Sequence, residues 1–183
     1  QKNGKGTYKW ASGNSYEGQF KDGKRHGKGT FKWPSGSSYE GEFKDGKRTG
    51  KGTFKWASGR SSYEGEYKDG KKHGKGVMTY ANKDIYDGEW KDSRKDGKGT
   101  MKYHNGDVYE GEFSNDKMHG KGTYTYAAGD IFKSIGEWKE GKKCGLFENI
   151  IRTSEQVYYD NDEVKADSNV KREAPFDEDT DNE

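Results

Sequence analysis

Apolar and polar side chains alternate along most of this chain. Tyr39, Gly41 and Phe43 occupy every second position, with Glu40 and Glu42 between them; Gly50, Gly52, Phe54 and Trp56 do the same around Lys51, Thr53 and Lys55. A period of two is that of a half-buried strand. The intervening Lys44-Asp45-Gly46-Lys47 carries Asp-Gly, which supplies the positive φ that a tight hairpin turn requires. A second turn around Ser58-Gly59 leads on to Tyr63. The pattern therefore predicts one β-hairpin, then another, paired side by side as an antiparallel meander.

The unit repeats. Its opening tyrosines are Tyr16, Tyr39, Tyr63, Tyr86 and Tyr109, at steps of 23, 24, 23 and 23 residues. Gly-Lys-Gly triplets keep the same step, starting at Gly4, Gly27, Gly50, Gly74, Gly97 and Gly120, and the one long step follows an extra residue in Gly59-Arg60-Ser61-Ser62. A last copy is worn: Phe132 is read as standing in the tyrosine position, two extra residues follow within 131–138, and Gly145-Leu146-Phe147 replaces the triplet. A blurred terminal copy is expected of a capping repeat, which has a neighbour on one side only. With strands about 4.8 Å apart, each hairpin advances roughly 10 Å, and six make a twisted ribbon about 60 Å long.

Composition fits a thin core. Only 26% of the 183 residues are hydrophobic and Leu146 is the single leucine, yet aromatics reach 14% and the net charge is +2. Aromatic rings and glycine suit strands and turns rather than an aliphatic core. Charge divides the chain: residues 1–150 hold 30 basic and 21 acidic groups, whereas 151–183 hold 4 and 11. This suggests a repeat array over 1–146, a capping segment of one or two strands over 147–166, and an acidic, disordered tail over 167–183. The chain opens at Gln1 inside a repeat, as a fragment would. One cysteine, Cys144, leaves no internal disulfide and fits a reducing, cytoplasmic setting. No run reaches membrane-spanning length.

The alternation sorts each repeat into two faces. One shows rings and glycines. The other shows Glu, Lys and Thr, with Glu40 and Glu42 expected to pair across strands with Lys51 and Lys55. The glycines are expected to let rings lie over the backbone.

The phrase Tyr-Glu-Gly-Glu-Phe-Lys-Asp-Gly-Lys-x-His-Gly-Lys-Gly-Thr, best seen over Tyr16–Thr30 and Tyr63–Val77, resembles the MORN repeat (membrane occupation and recognition nexus). The resemblance covers about residues 2–146 in six units. It implies an all-β, elongated single-layer ribbon of hairpins. It also implies a scaffold or adaptor at membranes, in the cytoskeleton or in ciliary radial spokes, or a module attached to an enzyme. Lys83 and Ser93 depart from the pattern where turn glycines are expected, which suggests longer or distorted turns there.

Few residues look like chemistry. Gly23-Lys24-Arg25-His26-Gly27-Lys28-Gly29 lacks the spacing of a phosphate-binding loop and its Ser or Thr for magnesium. His26, His73 and His119 share one slot, but Thr49, Asp96 and Cys144 fill it in the other copies, so the histidines are not in adjacent ones. His26 and His73 would thus lie about 20 Å apart, too far to share a metal ion. Every carboxylate pair recurs in step, so no constellation appears once, as an active site would. Catalysis, cofactors and metals are not expected, and the charge is too balanced for nucleic acid.

Binding is the expected role. A protein partner, an amphipathic helix or another sheet, is expected to lie on the ring face across Tyr16, Phe20, Trp33, Tyr39, Phe43, Phe54, Trp56, Tyr63, Tyr67, Tyr86, Trp90, Tyr109 and Phe113, residue types that dominate such contacts. A ciliary axoneme or the cytoskeleton is the setting that family analogy suggests. The alternatives are a peripheral membrane adaptor, in which Lys24, Arg25, Lys47, Arg48, Lys71, Lys72, Arg94 and Lys95 form a basic ridge for anionic phospholipid, and an accessory module of an enzyme. The aspartates beside those lysines favour a plain solvated edge over a lipid site. A homodimer or larger assembly is compatible with the array.

Overall fold

The computed structural model describes residues 2–152 and 170–173, which form one antiparallel sheet of fourteen strands in sequence order. The first hairpins are β1 (Gly4–Lys9) with β2 (Ser15–Lys21), then β3 (Lys24–Lys32), β4 (Ser38–Lys44), β5 (Lys47–Lys55) and β6 (Ser62–Lys68). The middle holds β7 (Lys71–Thr79), β8 (Ile85–Lys91), β9 (Arg94–Lys102), β10 (Val108–Ser114) and β11 (Lys117–Thr125). The end holds β12 (Ile131–Lys139), β13 (Lys142–Ile151) and β14 (Val170–Glu173). The all-β, single-layer meander predicted from the alternation is the fold observed.

Register explains the glycines. One glycine from each of β1 to β12 lies in a single row, from Gly6 opposite Gly18 to Gly122 opposite Gly136. A Cβ on Gly41 would stand 2.5 Å from the Cα of Gly52 and 2.5 Å from the Tyr39 hydroxyl. The row is bare because the tyrosine ring of each repeat lies flat across it. Those five tyrosines, Tyr16, Tyr39, Tyr63, Tyr86 and Tyr109, are 0% exposed. Each donates its hydroxyl proton to a backbone carbonyl three residues on, as Tyr63 does to Glu66 at 3.0 Å.

The first glycine of each triplet has another task. In the β4–β5 hairpin Gly41 pairs with Gly52 and Glu42 with Thr49, which leaves Gly50 and Lys51 in a bulge. Gly50 takes φ +53° there, and a Cβ would stand 2.6 Å from the Glu42 carboxylate. That carboxylate instead accepts the Lys51 backbone N–H at 3.1 Å, and Glu89 does the same for Lys98 at 2.9 Å. The expected ladder of Glu40 and Glu42 with Lys51 and Lys55 is not formed. The second glutamate caps the bulge, and the ion pairs among the described residues lie in turns and at strand ends.

Turns without glycine keep their shape. Asp22-Gly23 has φ of 50° and 75°, and Asp92-Ser93 has 50° and 73°. Lys83, at φ 74°, donates its N–H to the Tyr80 carbonyl at 2.9 Å, as Gly36 does to Trp33 at 3.0 Å. The expected distortion is absent because the flanking ladders and the bonds between neighbouring turns fix the backbone. Ser93 N–H reaches Lys72 O at 2.9 Å, as Gly46 N–H reaches Arg25 O at 2.9 Å.

The worn end corrects one expectation. Tyr124 pairs with Ser134, just as Phe31 pairs with Tyr39, so Ser134 and not Phe132 holds the tyrosine position. Phe132 is 38% exposed. β13 continues past residue 146, and Val170–Glu173 pairs with it as an edge strand. Residues 153–169, including Val157, Tyr158 and Tyr159, lie outside the described residues.

Candidate functional site

The ring face consists of two bands. The inner band is a continuous zigzag of edge-to-face contacts. Tyr16 meets Phe20 and Phe43 at 5.0 and 5.1 Å, Tyr39 meets Phe43 and Tyr67 at 5.1 Å each, and Tyr63 meets Tyr67 and Trp90 at 5.3 Å each. Tyr86, Trp90, Phe113, Tyr109, Trp138 and Phe147 continue it to the far end. Each contact adds about 0.5–1.5 kcal/mol beyond area burial. These side chains are the core. Tyr16, Phe20, Tyr39, Phe43, Tyr63, Tyr67, Tyr86, Trp90, Tyr109 and Phe113 therefore cannot offer ring surface to a partner. A single layer has no second sheet to cover it, so its own rings must interlock.

The outer band lies where each repeat turns into the next. Trp10, Trp33, Trp56, Tyr80, Tyr103 and Tyr126 recur there at steps of 23 or 24 residues, and all are half-buried except Trp56, which is 36% exposed. Trp33 lies 4.5 Å from Phe31 and 5.2 Å from Phe54, which places Phe54 in the same band. Of the expected partner-binding rings, Trp33, Phe54 and Trp56 keep accessible surface. Trp10, Tyr80, Tyr103 and Tyr126 were not singled out from the sequence, although their spacing ahead of each turn was visible.

The basic ridge divides in two. Arg25, Arg48, Lys72 and Lys95 stand opposite inner-band rings and fold over them. The Arg25 guanidinium carbon lies 4.8 Å from the Phe31 centroid, that of Arg48 5.1 Å from Tyr67, and the Lys72 ammonium 3.8 Å from Trp90. Burial pulls the Lys72 amine down to about 8, with Asp116 opposing, while the Trp90 face favours its charged form. Lys24, Lys47, Lys71 and Arg94 point outward and are exposed. Two of these pair with the next repeat, Lys47 with Asp69 at 3.8 Å and Lys71 with Asp92 at 3.4 Å.

The opposite face is a trough. The glycine row forms its floor. Side chains flanking the glycines form its walls, including Thr7, Glu17, Lys28, Glu40, Lys51 and Glu64, and enclose about 1470 Å³ from β1 to β8. Its mixed charges converge on no single point. Among the described residues no three His, Cys, Asp or Glu side chains are grouped to hold a metal ion.

The MORN repeat family model matches residues 1–15, 16–38, 39–59, 63–85, 86–108, 109–131 and 135–146. The chain belongs to the MORN-repeat family. The match divides it into seven segments rather than the six units read from the tyrosines, because β1 counts as a partial first repeat. No curated protein matches the chain. Among solved structures, the chain is similar to the TCP domain of SAS-4 (dCPAP) of Drosophila melanogaster, in complex with a proline-rich motif of Ana2 (dSTIL). The TM-score is 0.50 at 13% identity, covering 95% of this chain and 85% of that one. At that identity the likeness concerns the fold alone.

Proposed function

We propose that this MORN array is a non-catalytic scaffold that holds a protein segment along the outer band of its ring face. One observation carries the reading. Each of the five repeats that open with a buried tyrosine buries its inner rings but leaves one ring of the outer band half-buried or exposed, at the same place in each copy. A band of Trp and Tyr open to solvent on a fixed backbone has the composition of a binding hot spot. A ciliary or cytoskeletal assembly remains the proposed setting, on family analogy.

The fold neighbour's proline-rich ligand is compatible with an extended partner segment, although the likeness itself concerns only the fold. The phospholipid reading loses support, because half of the basic ridge folds over rings and outward lysines such as Lys47 and Lys71 meet aspartates.

The test uses Trp33→Ala with Trp56→Ala, which are partly exposed, instead of the buried Tyr39 and Tyr63. Capture of the native partner should fall at least tenfold while the far-UV circular dichroism is unchanged. Undiminished capture by the folded double variant would sink the proposal.

A further inference from the structure

The ring face carries a charge pattern that the repeat alone does not require. Its strand cations Arg25, Arg48, Lys72 and Lys95 fold over the rings, and among the described residues of the first three hairpins no carboxylate shares that face. Glu17, Glu40, Glu42, Glu64 and Glu66 all line the trough on the other side. Asp22, Asp45 and Asp69 sit in hairpin turns, and Asp45 and Asp69 are within 4.0 Å of His26 and Lys47.

Arg25 and Arg48 each donate one Nη2 proton to a turn carbonyl, Gly46 O at 2.6 Å and Gly70 O at 2.7 Å. Neither has a carboxylate partner among the described residues. The two also repel each other: the neighbouring Arg48 charge adds to burial in lowering the Arg25 pKa.

The second half differs. Asp84 accepts bonds from the His104 backbone and ring at 2.8 and 3.1 Å, and Asp107 accepts the Tyr124 hydroxyl at 2.9 Å. Asp116 acts on Lys72 and Lys95. Cations there have anionic neighbours, and the rim rings are tyrosines.

We infer that the Trp10–Trp33–Trp56 end of the ring face, with Arg25 and Arg48 between its two bands, is a docking site for an acidic, apolar segment of a partner protein in an extended, polyproline-like conformation. This rests on the scaffold reading above and names the chemistry of its partner. Charge complementarity sets the sign: guanidiniums without acids, lying over rings, favour carboxylates and stacked side chains. Period sets the conformation. Two strands advance about 9.6 Å per repeat. A polyproline II chain returns the same side to the face every three residues, or about 9.3 Å, whereas a β-strand reaches the other face after three.

The probe is a fluorescein-labelled peptide of four Pro-Phe-Glu triplets, read by anisotropy against the whole chain, with a Pro-Phe-Lys peptide as control. The acidic peptide should bind, and more weakly as salt rises. Arg25→Gln with Arg48→Gln should weaken it tenfold or more, whereas Lys24→Gln with Lys47→Gln should change it less than twofold. If the arginine variant is unfolded by circular dichroism, Arg25→Lys with Arg48→Lys should keep the fold and bind several-fold more weakly.

No binding of the acidic peptide, or binding unaffected by the arginine variants, overturns the inference. Equal binding of both peptides overturns the acidic preference but leaves the scaffold reading, which fails separately if Trp33→Ala with Trp56→Ala does not matter. Cosedimentation with phosphatidylserine vesicles that depends on Arg25 and Arg48, when peptide binding does not, would assign the face to lipid instead.

Discussion

The interior repeats and the β12–β13 end fill the same hole from opposite strands. Inside, a tyrosine such as Tyr63 lies across Gly65 and Gly76, the paired glycines of its own hairpin. At the end, Ser134 stands in the tyrosine slot, and the glycine opposite Gly136 is replaced by Phe147. The Phe147 ring covers Gly136, 2.8 Å from where a Cβ would be. Ser134 is 0% exposed and donates to Asn149 Oδ1 at 2.6 Å, while Lys143 Nζ donates to it at 2.9 Å. The hole is thus a property of the ladder and not of one residue. Any strand can supply the ring if the facing position gives up its own.

Three changes probe this comparison. The largest effect is expected from Tyr63→Ala, about 3–5 kcal/mol, because Tyr63 contacts rings of two repeats, Tyr67 and Trp90. Phe147→Ala should cost less within that range, since among the described residues its ring stacks on one other ring, Trp138. Urea unfolding followed by tryptophan fluorescence compares the two, and equal losses would remove the idea of a continuous ladder.

Next, Ser134→Tyr alone forces a second ring into the space of Phe147 and should cost about 1–3 kcal/mol. Adding Phe147→Gly restores the interior arrangement and should recover most of it. A double variant whose losses simply add would show that the two positions do not share one site.

The smallest effect is a pH dependence confined to the interior. Burial raises the phenol pKa of Tyr16, Tyr39, Tyr63, Tyr86 and Tyr109, to about 12 for Tyr39 and Tyr109. Unfolded tyrosines lose their proton near pH 10 while the folded ones keep it. The unfolded state then binds fewer protons, so stability falls as pH rises from about 10 toward 12. Lys72, lowered from 10.5 to about 8, acts with the opposite sign between those values, as does Lys95, also lowered by burial, but these are two lysines against five tyrosines. Tyr63→Phe should move the alkaline midpoint upward. Phe147→Leu should lower stability equally at pH 7 and pH 11. A midpoint unmoved by Tyr63→Phe would argue that this phenol is not held neutral by burial.

The sequence showed much of this directly. Strands, turns and their order follow from alternation and from Asp-Gly spacing, because a period of two and a positive-φ turn are local properties. Glycine's role beneath the rings was also visible. The site was less legible. From alternation alone, Tyr39 and Trp33 are equivalent ring-face positions, yet one is fully buried and the other open. Likewise Lys47 and Arg48 are neighbours in one turn, but only Arg48 lies over a ring.

By itself, then, the sequence determined a meander of hairpins, its two faces and its repeat length, since each depends on neighbours a few residues apart. The tertiary structure decided which rings close the core, which cations fold over them, and which residue takes the tyrosine's place at the end. Those outcomes depend on contacts between strands about 23 residues apart, where ring size and register, not local pattern, fix what can be covered.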